Sequence, residues 1–150
     1  MKKTVIFDLD GTLALIDDRR AIAQKPNGKM DWDTFFDPDN IQLDLPNHSV
    51  IHMARMLKAA GHMIVIFSGR SKATKEATKD WLRKFNVPFD VIKMRPVGSF
   101  MPDDDLKKHW LDQLFPDKDK VLCAFDDRDK VVQMWRDNGI TCMQVAKGSF

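Results

Sequence analysis

The chain has 150 residues, 43% hydrophobic and 31% charged, a balance found in folded globular domains and not in disordered chains. At that length folding removes roughly 70% of the extended chain's surface, enough for one core, so residues 1–150 read as a single domain. Twenty-four Lys and Arg against 22 Asp and Glu leave a formal charge of +2, which excludes a protein that holds nucleic acid chiefly through a global basic field. No apolar run approaches the ~18 residues that would cross a bilayer, and Met1-Lys2-Lys3-Thr4 enters an apolar run without a signal-cleavage pattern, so a cytoplasmic chain with no membrane partner is expected. Cys123 and Cys142 lie in apolar runs without a C-x-x-C pair and read as buried small hydrophobes in a reducing compartment.

Strand and helix signals alternate along the chain. Thr4 to Phe7 is the first short apolar run, rich in branched residues as in strands covered on both faces. Ala14 to His48 then breaks the rhythm with Asp, Asn, Pro and Gly punctuation around Trp32, Phe35 and Phe36, and reads as a small cap-type insertion over the sheet's edge. Trp32 would anchor a mini-core there or stack on a nucleobase. Val50, Met53, Ala54 and Leu57 have helical spacing ahead of a second strand at Met63 to Phe67. Ala73, Ala77, Trp81 and Phe85 recur at steps of four before a third strand at Phe89 to Met94. Leu106, Trp110, Leu111 and Leu114 precede a fourth at Val121 to Phe125, and Val131, Val132 and Trp135 a fifth at Ile140 to Val145. Gly61 and Gly139 stand where helix C-caps belong. The pattern predicts an α/β fold, a central parallel five-stranded sheet with helices on both faces.

The chemistry gathers where such strands end. Asp8 and Asp10 follow the first strand, with Gly11 for a sharp turn and Thr12 for a hydroxyl, and groups just past the carboxyl ends of parallel strands face the ligand crevice. A calcium loop would need further acidic residues where Ala14, Leu15 and Ile16 stand. Ser68-Gly69-Arg70 ends the second strand, Asp126-Asp127-Arg128 the fourth, and Lys107 lies on the helix between the third and fourth. Carboxylates, a hydroxyl and cations at one rim suit in-line phosphoryl transfer with magnesium, because paired aspartates repel unless a hard divalent ion joins them. One of Asp126 and Asp127 could instead cap the helix that follows.

DLDGT, S-G-R, a lysine and D-D, in that order, resemble the motif set of the haloacid dehalogenase superfamily, over Val5 to Phe150. More narrowly, IFDLDGTLA, IVIFSGR with the trailing TKEATKDWLRKFNVP, and FDDRDKVVQMWRDNGITCMQVAKGSF are similar to the 3′-phosphatase domain of phage polynucleotide kinase-phosphatases. The resemblance implies a Rossmann-like fold, Mg2+, Asp8 as nucleophile and Asp10 as general acid and then base. Asp10 is thereby expected to be free to carry a proton while Asp8 is held ionised by metal. It implies metal ligation by Asp8, the backbone carbonyl of Asp10, and Asp126 and Asp127, with Asp126 expected in direct contact. Ser68 and Lys107 match groups that bind phosphoryl oxygens, and Thr12 and Gly69 complete the phosphate-binding set. Arg19, Arg70 and Arg95 match arginines around the substrate. Asp103, four residues before Lys107, is expected to face it on a helix in a supporting role. The insertion shares little with the phage enzymes beyond Arg19, and no G-x-x-x-x-G-K-[ST] occurs, so no kinase activity is expected of these residues.

Three readings follow. The first is a magnesium-dependent phosphatase of nucleic-acid 3′-phosphate ends, DNA or RNA, with 2′,3′-cyclic phosphates as further substrates; its rival is a phosphatase of mononucleotides. The third is a silent module that only binds phosphorylated ends, against which every catalytic position is filled.

Overall fold

The structure is a computed structural model that describes residues 1–150. Five parallel strands run in the order β5-β4-β1-β6-β7: β1 (Thr4–Phe7), β4 (Met63–Ser71), β5 (Val91–Arg95), β6 (Val121–Asp126) and β7 (Cys142–Gln144). β1 is central, with Phe7 in register with Ile66 on one side and Phe125 on the other. The chain builds outward from β1 to β4 and β5, then crosses to β6 and β7, which places the switch of direction, and a ligand crevice, at the carboxyl end of β1.

Strand alternation divides the apolar side chains between two cores. Val5, Phe7, Ile64, Ile66, Cys123 and Phe125 face α3 (His48–Ala59) and α4 (Lys75–Lys84), meeting Val50, Ile51, Ala54, Trp81 and Leu82. Ile6, Val65, Phe67 and Ala124 face α5 (Asp103–Leu114) and α6 (Asp129–Asp137), meeting Leu106, Trp110, Leu111, Val131, Val132 and Trp135. Helices therefore cover both faces, as the runs predict. No helix is long and apolar enough to cross a membrane, and both cysteines are buried.

Three expectations change. The second strand continues through Ser68-Gly69-Arg70 to Ser71, because those residues pair onward with β5 across a register shift. The third begins at Val91, after Asp90, and the fifth shortens to Cys142–Gln144. The insertion packs into the core on the α3/α4 face. It folds as β2 (Ala14–Leu15), α1 (Asp17–Ala23), α2 (Trp32–Phe35), a 3-10 turn at Pro38–Leu43 and β3 (Leu45–Pro46), with β2 and β3 antiparallel. Ala23, Phe35 and Ile41 join the core that holds Val5 and Phe7, and the Trp81 indole donates to the Asp44 carbonyl at 3.0 Å. Its apolar residues thus extend the α3/α4 face beside the central strand. Trp32 is 59% exposed but packs with Phe35 and Phe36, at ring centroids of 5.6 and 5.8 Å, and Phe35 is the buried ring of this cluster.

Candidate active site

Asp8 leaves β1 buried, its amide tied to the Phe125 carbonyl at 2.9 Å. Its Oδ1 accepts from Lys107 Nζ at 2.8 Å and its Oδ2 from the Thr12 hydroxyl at 3.0 Å. Lys107 also donates to Asp126 Oδ2 at 3.0 Å, so one buried ammonium joins the ends of β1 and β6. Burial works against its charge, but Asp126 and Asp8 outweigh burial and hold Lys107 firmly protonated. Burial, then the Asp126 charge, pushes Asp8 well above the ordinary carboxylate range despite Lys107, and burial likewise raises Asp127.

Asp126 and Asp127 differ in what they have left to offer. Asp126 Oδ2 takes Lys107 and the Trp135 indole at 3.3 Å, and Oδ1 takes the amides of Asp127 at 2.9 Å and Arg128 at 3.4 Å. Four donors match the lone pairs of one carboxylate. Asp126 thus braces Lys107 and the turn before α6, whereas no cation or hydroxyl of the protein donates to the Asp127 carboxylate. Gly11, at φ +82°, is required here because a β-carbon would collide with the Asp127 carboxylate.

Asp10 is not free. Its Oδ1 accepts from Arg19 Nη2 at 2.9 Å, from Arg70 Nε at 2.9 Å and from Arg70 Nη2. Burial pushes this carboxyl up, but the charges of Arg70 and Arg19 and their hydrogen bonds win and hold it below the usual range. Asp10 Oδ2 has no protein partner. Arg19 and Arg70, expected around the substrate, are completely buried. Their remaining donors go to Asp44, through Arg19 Nε at 2.9 Å and Nη2 at 3.1 Å and Arg70 Nη2 at 2.7 Å, to the Phe35 carbonyl and to the Thr78 hydroxyl. Asp44 is the residue that sequence reasoning missed. Its one cue is a carboxylate between leucines in the stretch Ile41 to Pro46.

On the opposite rim, Asp103 and Lys107 share a helix but do not pair. Lys107 turns to Asp8 and Asp126, while Asp103 accepts from Arg95 Nη2 and, at 3.3 Å, from Arg128 Nη1. Arg95 also donates to the carbonyls of Gly69, at 2.9 Å, and Met101. It ties the β5–α5 loop to β4 and is committed to the protein. Gly69 lets Asp103 approach, since a β-carbon there would meet its carboxylate. Ser68 is buried and its oxygen accepts the Arg70 amide at 3.1 Å, which leaves the hydroxyl proton to donate.

Oxygens from Asp8, Asp126 and Asp127, one from each, lie within 4.8 Å of one another. Three buried carboxylates against one ammonium form an anionic, all-oxygen set that fits a hard divalent cation.

A family model described as "Polynucleotide kinase PNKP phosphatase domain" matches residues 2–150. A protein of Autographa californica nuclear polyhedrosis virus described as a bifunctional polynucleotide kinase/RNA ligase is 32% identical over 138 residues, 90% of this chain and 18% of the relative. Chains in two structures of the Pnkp1/Rnl/Hen1 complex, one called an RNA repair complex, are 32% identical with TM-scores of 0.81 and 0.82; each match covers 99% of this chain and 47% or 44% of theirs. This chain thus spans less than half the length of these relatives. A haloacid dehalogenase-like hydrolase from Streptococcus pneumoniae shares the fold at 13% identity, with a TM-score of 0.70 over 95% of this chain and 83% of that one. The chain belongs to the family of polynucleotide kinase PNKP phosphatase domains, phosphatases of the haloacid dehalogenase fold.

Proposed function

We propose that this domain removes terminal 3′-phosphates from DNA or RNA with magnesium, through an aspartyl-phosphate on Asp8. The observation that carries the reading is the carboxylate of Asp8 at the end of the central strand, gripped by Lys107 and Thr12, with Asp10 clamped one turn on. A likeness to chains of an RNA repair complex supports a polynucleotide substrate, RNA included.

Asp8 attacks phosphorus, and the new oxygen–phosphorus bond forms as the bond to the ribose 3′-oxygen breaks. Asp10 Oδ2, the oxygen that the arginines leave unbound, protonates the departing alkoxide, and this requires the negative charge of the bound phosphate to raise the carboxyl above the low value that Arg70 and Arg19 set. Water, giving its proton back to Asp10, then cleaves the acyl phosphate and frees inorganic phosphate and Asp8. Lys107 and the Ser68 hydroxyl donate to the transferring phosphoryl oxygens. Asp8, Asp127 and the backbone carbonyl of Asp10 would hold magnesium, which offsets phosphoryl charge when bound. Arg19, Arg70 and Asp44 hold Asp10 in place, and Asp126 holds Lys107.

The test is magnesium-dependent phosphate release from matched 3′-phosphorylated DNA and RNA oligonucleotides and from 3′- and 5′-mononucleotides. We expect oligonucleotides to be preferred and Asp8→Asn to lower turnover by about 10³-fold or more while folding is kept. Preference for mononucleotides would establish the rival phosphatase, and undiminished turnover in Asp8→Asn would refute the nucleophile.

A further inference from the structure

Arg19 and Arg20 are neighbours on α1 with opposite fates. Arg19 is buried between Asp10 and Asp44, whereas Arg20 is exposed and forms no ion pair, although Asp17 and Asp18 share its helix. The Arg20 guanidinium instead lies 5.6 Å from the centroid of the Phe150 ring. Arg128, next to Asp127 in the chain, lies 5.5 Å from the same centroid, and its Nε donates to the Phe150 backbone oxygen at 2.8 Å. The Phe150 ring is 55% exposed.

This ring has a built seat. The Asp129 amide donates to the Gly148 carbonyl at 2.8 Å, and the Gln144 amide reaches the Asp127 carbonyl at 3.1 Å and Asp129 Oδ1 at 2.7 Å. Gly148 lies so close to the Asp127 and Arg128 backbone that a β-carbon would overlap it. Gln144 and Gly148 are thereby strapped onto the turn that carries Asp127, and the Arg128 bond brings the Phe150 backbone to the same turn.

We propose that Phe150 and Arg20 form a strand-binding platform. The ring stacks on a nucleobase upstream of the scissile 3′-phosphate, and Arg20 takes a neighbouring backbone phosphate. Any base offers a π-face, so the platform reads a polynucleotide without reading its sequence. A net charge of +2 demands that strand contacts be local, and an unpaired guanidinium beside an exposed aromatic ring is such a contact. Two other exposed rings lack that pairing. Trp32 is flanked by Asp31 and Asp33, and no cation stacks on Phe100.

The proposal rests on the polynucleotide reading above, and its test separates the two. Phosphate release is compared in wild type, Phe150→Ala, Phe150→Trp and Arg20→Gln, with a 3′-phosphorylated oligonucleotide, the same oligonucleotide carrying abasic units upstream, and a 3′-mononucleotide. Phe150→Ala is expected to lower kcat/KM on the oligonucleotide about tenfold more than on the mononucleotide, mainly through KM, with Phe150→Trp restoring most of the loss. Arg20→Gln is expected to flatten the salt dependence of oligonucleotide KM by about one unit of log–log slope. Equal loss on all three substrates would make Phe150 a structural residue and overturn the platform, as would wild-type indifference to the abasic units. Binding of a fluorescent 3′-phosphorylated oligonucleotide to Asp8→Asn, with and without Phe150→Ala, reads the platform without turnover; equal affinities overturn it. Preference of the wild type for mononucleotides bears on the substrate reading alone.

Discussion

Asp44 shows how one buried side chain sets the position of its neighbours. It is completely buried and accepts from both Arg19 and Arg70, which in turn grip Oδ1 of Asp10. Two buried guanidinium groups facing Asp10 alone would be under-compensated, since burial of unpaired charge is the expensive case. We therefore expect Asp44→Ala to lower unfolding stability by about 3–5 kcal/mol in urea titrations. Phosphate release by the molecules that remain folded should fall as well, because Asp10 loses its fixed place. A variant that is merely less stable, with full turnover when folded, would separate Asp44 from the chemistry. The same logic divides Asp126, whose carboxylate takes four donors, from Asp127, whose carboxylate takes no cation or hydroxyl donor.

Elements deliver these side chains through their ends. β1 brings Asp8, β4 brings Ser68 and Arg70, α5 brings Lys107 and β6 brings Asp126, each at the carboxyl rim or on the helix facing it. The opposite end of the sheet is pinned by Asp90, which accepts from Lys58 Nζ on α3 at 2.6 Å and from the Ile64 amide of β4 at 2.8 Å. Burial pushes the Asp90 carboxyl up, but the Lys58 and Ile64 hydrogen bonds and the Lys58 charge bring it below its ordinary value. A carboxyl depressed on folding contributes stability that is fully present above its unfolded value near 4, and that is lost as pH falls through the lower folded value. Stability of the wild type should therefore fall more steeply below about pH 4 than that of Asp90→Asn. Urea titrations across that window check this, and equal slopes would remove Asp90 as a contributor.

Across the whole molecule, the balanced charge conceals a local deficit. Asp8, Asp126 and Asp127 share one buried ammonium, and their mutual repulsion weighs on the folded state. Magnesium that binds only the folded chain should raise the melting temperature by roughly 5–10 °C at a hundredfold excess over Kd. Asp127→Asn should lose most of that shift in thermal melts; an undiminished shift would place the ion elsewhere. The insertion shares the sheet's core, because Ala23, Phe35 and Ile41 lie with Val5 and Phe7. Arg19 and Asp44, both carried by this segment, thus reach the site from elements packed on the same core.

The alternating α/β order, the five strands and the rim positions of Asp8, Asp10, Ser68, Lys107, Asp126 and Asp127 were legible in the sequence. Strand and helix periodicities are local properties, and parallel topology sends strand ends to one side. Partner choice among charged groups was not legible. Spacing on α5 pointed Asp103 at Lys107, yet long flexible side chains pair with whatever burial makes most costly to leave alone, and that is set by distant elements. For the same reason the shared hold of Asp44 on Arg19 and Arg70, 25 and 26 residues away, was not legible. The sequence by itself determined which residues could do the chemistry. Only the tertiary structure decided which keep unpaired oxygens at the rim and which hold the others in place, because desolvation acts on spatial neighbours and not on sequence neighbours.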